Sequence, residues 1–301
     1  MSDLDYLFKK PITVEKNASL SHVIAELLKN NISRLVVIDE KSPVGIITEK
    51  DIGLFLLTEE TEKNLDEIQV SKIMNTLTSV KDSENVENCV EIMLEKRIGS
   101  LGILKESELI GIVTKTDIAQ HYSKNYSENH RVGDVMTISY VSMNSNSTLR
   151  DVVSKMISEK ISRIFLKNDN DEIEGILTFR DLFHVALEQG NSDSVLDNTD
   201  QSISVVFTRN GFLSDSGFGN TIQAKDVMTS NFASIDFDQD LAGACDVMIK
   251  NKINGVGVKI NGKLGGVVSK TDVLKAIHIE KSSKWFWGFN FNGENYNCFY
   301  I

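Results

Sequence analysis

No apolar run in the sequence approaches the ~18 residues that a membrane span requires. The opening Met1-Ser2-Asp3-Leu4-Asp5 also lacks the basic start and apolar core of a signal peptide. These absences set the expectation of a cytoplasmic protein with no membrane partner. Cysteine is scarce: Cys89, Cys245 and Cys298 are odd in number, far apart and without CxxC spacing, which argues against a disulfide framework or a zinc site. The five histidines form no ligand cluster, so no metal is expected. A positive balance is lacking too. The formal charge is −11, and a nucleic-acid partner would need a basic face to displace counterions from phosphates. Any phosphate bound here must be held by local donors. Also missing are a nucleophile paired with a base and a Walker-type loop, so a non-catalytic protein is expected.

What is present is a repeat. Gly45-Ile46-Ile47-Thr48-Glu49-Lys50-Asp51 recurs as Gly111-Ile112-Val113-Thr114-Lys115-Thr116-Asp117, Gly175-Ile176-Leu177-Thr178-Phe179-Arg180-Asp181 and Gly266-Val267-Val268-Ser269-Lys270-Thr271-Asp272. The glycines, read as small-residue turns, are 66, 64 and 91 residues apart, so the last interval contains an insertion. Each copy ends a longer unit. In the first, Ile12-Thr13-Val14 reads as a strand, and Asn17 as the cap of a helix with the stripe Leu20, Val23, Ile24, Leu27 and Leu28. The corresponding caps are Ser83, Asn146 and Asp238. One or two basic or amide residues follow each helix, then a lone isoleucine (Ile32, Ile98, Ile161, Ile253), a second strand and the Gly-led third strand. The unit is βαββα, and the fold class is α+β.

A unit of roughly 55 residues cannot easily cover its own sheet, so copies are expected to stack in pairs, first with second and third with fourth. The charged connector 59–69 joins the first pair. The polar stretch 121–130 separates the pairs. Within the second pair lies the insertion 188–223, rich in Ser, Asp, Asn and Gly, with one strand-like run at 203–207; it reads either as a mobile loop or as a gating lid. The C-terminal tail 281–301 holds both tryptophans and six further aromatics. It either packs on the folded body or docks on a partner.

Each hydroxyl of the repeated stretch closes a strand, and each Asp lies in the first turn of the next helix. An Asp carboxylate can accept both hydrogen bonds of a vicinal diol such as a ribose 2′,3′ pair. The helix N-terminus beside it favours an anion. The competing reading is a capping box, in which hydroxyl and carboxylate serve only the backbone. Glu or Gln would serve that purpose as well, yet all four copies carry Asp. Arg34 stands eleven residues before its glycine and Arg163 twelve; Ser100 and Gly255 occupy the equivalent places in the other two repeats. An arginine at the start of an inner strand either clamps phosphate bidentately or is a solvated surface residue.

The G-h-[ILV]-[TS]-x-x-D signature in four copies, the βαββα unit and the lead-ins Asp134-Val135-Met136-Thr137, Asp226-Val227-Met228-Thr229 and Lys72-Ile73-Met74-Asn75 together resemble the CBS domain family, named after cystathionine β-synthase. The layout is similar to that of the gamma subunit of AMP-activated protein kinase. The resemblance implies two Bateman modules: residues 7–125 (repeats 7–60 and 70–122) and residues 130–280 (repeats 131–188 and 224–279). It also implies a regulatory role without a cofactor, binding AMP, ADP or ATP, with S-adenosylmethionine as a further candidate. By position, Asp51, Asp117, Asp181 and Asp272 would bind ribose. Thr48, Thr114, Thr178 and Ser269 would place a hydroxyl near ribose or phosphate, and Arg34 and Arg163 would bind phosphate. A disc-like homodimer or an intramolecular disc, coupled to a regulated protein, is the implied assembly. The rival reading is an interaction scaffold with vestigial clefts that acts through its aromatic tail.

Overall fold

The computed structural model describes residues 4, 6–58, 63–189 and 218–287. The strand-like run 203–207 and the tail beyond Trp287 lie outside the described residues. Four βαββα units follow one another. The first is β1 (Thr13–Glu15), α1 (Leu20–Lys29), β2 (Arg34–Asp39), β3 (Ser42–Thr48) and α2 (Glu49–Thr58). The second has a lead-in strand β4 (Asn75–Thr76), then β5 (Ser79–Lys81), α3 (Val86–Glu95), β6 (Ser100–Lys105), β7 (Glu108–Thr114) and α4 (Lys115–Asn125). The third opens on the short helix α5 (Val132–Val135), followed by β8 (Ser142–Asn144), α6 (Leu149–Ser158), β9 (Arg163–Lys167), β10 (Ile173–Thr178) and α7 (Phe179–Gln189). The fourth is β11 (Ser234–Asp236), α8 (Leu241–Lys250), β12 (Gly255–Ile260), β13 (Lys263–Ser269) and α9 (Lys270–Trp287). In each unit the first strand lies parallel to the second and the second antiparallel to the third.

The helix caps lie two residues later than the sequence suggests. Ser19, Asn85, Thr148 and Asp240 cap α1, α3, α6 and α8 through their side chains. Asn17, Ser83, Asn146 and Asp238 instead occupy the third position of a β-turn, closed by Ala18 N–H to Glu15, Glu84 to Lys81, Ser147 to Asn144 and Gln239 to Asp236. Turns and caps recruit the same short polar side chains, so composition alone cannot separate them. The apolar stripes are buried except at their last member: Leu28 is 41% and Ile157 37% exposed.

The basic or amide residue after each helix has a backbone reason. Asn31, Arg97, Lys160 and Lys252 all take positive φ, between 51° and 55°. The next amide reaches back to the helix: Ile32 N–H to Leu27, Ile98 to Met93, Ile161 to Met156 and Ile253 to Met248. This is a Schellman ending, and the lone isoleucine is its hydrophobic partner. Each isoleucine packs against an apolar core.

Among the described residues two hydrophobic cores form, and each joins repeats distant in sequence. One unites α1 and α2 of repeat 1 with α6 and α7 of repeat 3; the other unites α3 and α4 of repeat 2 with α8 and α9 of repeat 4. The connector 59–69, charged at its start, ends inside the first core, where Leu65 and Ile68 are buried. Repeats 1 and 2, and likewise 3 and 4, meet through their sheets. β4 pairs with β3, Lys9 bridges to Ile112, Thr137 to Val267 and Thr229 to Ile176.

The signature glycines belong to these sheet contacts and sit within strands rather than turns; their φ is not positive. Each is crossed by the lead-in of the neighbouring repeat. Met74 lies over Gly45, Phe8 over Gly111, Met228 over Gly175 and the Thr137 carbonyl over Gly266. A methyl group at Gly266 would sit 2.5 Å from that carbonyl oxygen. Close backbone approach, not turn geometry, demands glycine here.

Candidate functional site

The four signature carboxylates are all held in the same way. Oδ2 of Asp51 accepts from the Thr48 amide at 3.0 Å and from the Thr48 hydroxyl at 2.6 Å. Asp117 repeats this on Thr114 at 2.9 and 2.6 Å, Asp181 on Thr178 at 2.8 and 2.7 Å, and Asp272 on Ser269 at 2.9 and 2.7 Å. The carboxylate half of a capping box is therefore formed in all four copies and occupies one carboxylate oxygen; the return bond from the Asp amide to the hydroxyl is made at Asp51 and Asp117. Oδ1 remains for other work.

That second oxygen differs among repeats. On Asp51 it has no hydrogen bond among the described residues, and on Asp181 it accepts from Thr229 Oγ1 at 3.3 Å. On Asp117 it pairs with Lys9 at 2.8 Å and on Asp272 with Lys275 at 2.8 Å. Asp51 and Asp181 are half-buried, whereas Asp117 and Asp272 are each 3% exposed. The second oxygen is thus less engaged in the odd repeats, and in the even repeats it is covered by an exposed lysine.

Arg34 and Arg163 are half-buried rather than fully solvated. Arg34 faces Thr48 across the β2–β3 ladder and Arg163 faces Thr178 across β9–β10. The one-residue difference in their spacing from glycine is absorbed before the strands come into register. Both side chains then leave their own repeat. Arg34 Nη1 donates to the Gly99 carbonyl at 2.9 Å, and Arg163 Nη2 to the Asn254 carbonyl at 3.3 Å. A Cβ on Gly255 would overlap the Arg163 guanidinium, and one on Gly99 would come within 3.3 Å of Arg34. Guanidinium groups of repeats 1 and 3 thus reach into repeats 2 and 4, and Gly255 is the space that admits one of them. Burial works to lower the pKa of Arg34, opposed by Asp117, Glu49 and Asp51; burial does the same at Arg163, opposed by Asp272. Each arginine therefore lies within the field of an even-repeat Asp.

The two residues between hydroxyl and Asp carry contacts that their sequence positions did not reveal. Glu49, at the start of α2, meets Arg180 of α7 at 3.6 Å, while Lys50 lies 5.1 Å from the Phe179 ring centre. Burial pushes the Glu49 carboxyl up, against Arg180, His184 and Arg34. In the other half, Lys115 Nζ donates to Thr271 Oγ1 and Lys270 Nζ to Thr116 Oγ1, both at 2.9 Å. The signal available in the sequence was that these variable positions start facing helices. Nothing local shows which helices face. Among the described residues, no three His, Cys, Asp or Glu side chains are grouped to hold a metal, and no helix is long and apolar enough to cross a membrane.

With this geometry in view, comparison with known proteins is informative. The CBS domain profile matches residues 3–56, 70–124, 132–188 and 224–279. An uncharacterized protein of Methanocaldococcus jannaschii is 24% identical over 184 residues, which are 57% of this chain and 65% of that protein. An uncharacterized 33.4 kDa protein of Thermofilum pendens is 22% identical over 287 residues, 88% of this chain and 87% of the relative. Among solved structures, protein MJ1225 of M. jannaschii, described as a candidate archaeal homolog of g-AMPK, aligns with a TM-score of 0.72 at 21% identity, covering 89% of this chain and 96% of that one. A conserved protein of Pyrococcus horikoshii aligns with a TM-score of 0.57 at 15% identity, covering 90% and 97%. Four matched repeats account for most of the sequence: the chain belongs to the CBS domain family.

Proposed function

We propose that the protein is a non-catalytic sensor that binds adenosine-containing nucleotides, of the AMP, ADP or ATP type, in clefts between paired repeats. The pairs are the modules 7–125 and 130–280. The observation that carries this reading is the position of Arg34. It leaves the strand position beside Thr48, lodges on Gly99 of the next repeat and lies in the field of both Asp51 and Asp117. Hydroxyl, carboxylate and a fixed guanidinium converge, as a ribose with a phosphate attached would require. Arg163 repeats the arrangement on Asn254 and Asp272. Asp51, Asp117, Asp181 and Asp272 hold the diol through Oδ1. Thr48, Thr114, Thr178 and Ser269 orient those carboxylates and present oxygen to the ligand.

Occupancy acts on a partner or an oligomer by favouring one of two arrangements of the modules, through differential affinity. The helix contacts that unite repeat 1 with 3 and repeat 2 with 4 lie beside the clefts and are the surfaces available for such a change. Titration calorimetry of the full chain with AMP tests the reading. Asp51→Asn and Asp181→Asn keep an acceptor for the capped amide but lose the charge. Together they should weaken binding at the odd sites at least tenfold. Unchanged affinity would remove these carboxylates from the site.

A further inference from the structure

The helix starts of the signature copies meet in two crossed pairs, and the pairs differ in charge compensation. Between repeats 1 and 3 each cation has a partner suited to it: Arg180 meets Glu49, and Lys50 meets the face of Phe179. Between repeats 2 and 4 the crossing is made by Lys115 and Lys270. Among the described residues their hydrogen bonds go to neutral oxygens, those of Thr271 and Thr116, with Asn254 Oδ1 3.5 Å from Lys270. Among the described residues neither lysine makes an ion pair, although the neighbouring Lys9 and Lys275 both do.

Lys270 is 4% exposed. It stands at the positive end of α9, as Lys115 stands at the positive end of α4, and Arg34 adds like charge near both. An ammonium buried at such a place without a counter-charge is costly. Burial and Arg34 accordingly push Lys270 down to about 8. What this half lacks is an anion in direct contact with either lysine. Its location follows from the carboxylates nearby: Asp117 lies in the field of Lys270 and Asp272 in that of Lys115. Besides its ion pair with Lys9 or Lys275, each even-repeat Asp therefore has two further cations at hand, both from other repeats. Asp117 has Arg34 and Lys270, and Asp272 has Arg163 and Lys115.

We propose that Lys270 and Lys115 form a phosphoanhydride subsite, receiving the phosphoryl groups beyond the first from nucleotides whose ribose is held by Asp117 and Asp272. This rests on the nucleotide reading above. One arginine suffices for a monophosphate, which it meets bidentately; a separate ammonium calls for a second phosphoryl group. The even repeats thus select di- and triphosphates. In the crossing of the odd repeats the corresponding place is held by Glu49, whose carboxylate selects against them.

The test is calorimetry of the full-length chain with AMP, with ADP and with inorganic pyrophosphate. Wild type should bind ADP at least tenfold more tightly than AMP. The double variant Lys115→Gln/Lys270→Gln retains a hydrogen bond to each threonine; it should lose that preference while binding AMP within twofold of wild type. Glu49→Gln should extend the ADP preference to the odd repeats. Equal affinity for AMP and ADP in wild type, or an undiminished ADP preference in the double variant, would overturn the subsite. If no adenosine compound binds but pyrophosphate binds wild type and not the double variant, the subsite stands and the nucleotide reading falls. If pyrophosphate fails as well, both fall.

Discussion

The contact between repeats 1 and 3 and the contact between repeats 2 and 4 use the same scaffold for different chemistry. In both, helices that follow the signature meet across the molecule, α2 along α7 and α4 along α9. In both, the residues between hydroxyl and Asp cross over. The odd pair is internally neutralised by Glu49 and Arg180. In the even pair Lys270 is buried and Lys115 half-buried, each donating to a threonine hydroxyl. Since packing is available to either solution, the one without an ion pair is the more informative: a buried charge held by hydroxyls alone marks where a ligand can supply a direct counter-charge. The carboxylates follow the same division. Among the described residues Asp51 makes no hydrogen bond at Oδ1 and Asp181 accepts there only from Thr229, whereas Asp117 and Asp272 are buried beneath lysines.

Core substitutions give the largest expected effects and ask whether the two halves unfold as separate units. Phe183, fully buried in the 1/3 core, packs against Gly53 of α2. Phe183→Ala should cost about 3–5 kcal/mol, read by denaturant unfolding. If the cores are distinct units, the loss should appear in one phase of a split transition. A single shifted transition would make them one cooperative body.

Lys270 gives the next largest effect, with opposite sign. Its ordinary pKa of 10.5 is lowered to about 8 by burial first, then by Arg34, with Asp117 and Cys245 opposing and Arg180 adding to the lowering. The unfolded chain thus binds more protons between these values. Stability of the ligand-free protein should rise as pH increases from about 8 to 10.5, by on the order of 3 kcal/mol. Lys270→Gln should raise stability at pH 7 by a comparable amount and flatten that pH profile. A destabilised variant would mean that the ammonium is well compensated within the chain.

In the odd half the expectation is reversed, because removing a cation there strands a buried acid. Arg180→Ala should cost about 1–2 kcal/mol. Glu49→Gln in the same background should recover part of it, and a double-mutant cycle measures the coupling. The smallest effects are controls common to both halves. Lys160→Gly and Arg97→Gly relieve positive φ at helix ends and should each add roughly 0.5–1 kcal/mol, equally in the two halves.

Local features were legible in the sequence. The four units, their strand and helix order and the buried stripes all follow from periodicity and from repetition of the signature. The turn at Asn17 and the cap at Ser19 were confused because both use the same side-chain chemistry. The glycine of the signature was legible as a small residue. Its reason, the passage of Met74 or the Thr137 carbonyl, lies in another repeat. The arginines were visible as a difference between repeats, but their destinations on Gly99 and Asn254 were not. Lys115 and Lys270 carry no local signal because they occupy variable positions of the motif. Their meaning depends on contacts about 155 residues apart, and no local pattern encodes such contacts.

Native mass spectrometry of the full chain, titrated first with AMP and then with ADP, tests most directly whether the signature carboxylates hold nucleotides. Nucleotide adducts should form on wild type and be lost from the variant carrying Asp51→Asn, Asp117→Asn, Asp181→Asn and Asp272→Asn, with the fold checked by circular dichroism. A folded wild type that carries no adduct at saturating nucleotide, or a folded variant that carries as many as wild type, would contradict that assignment.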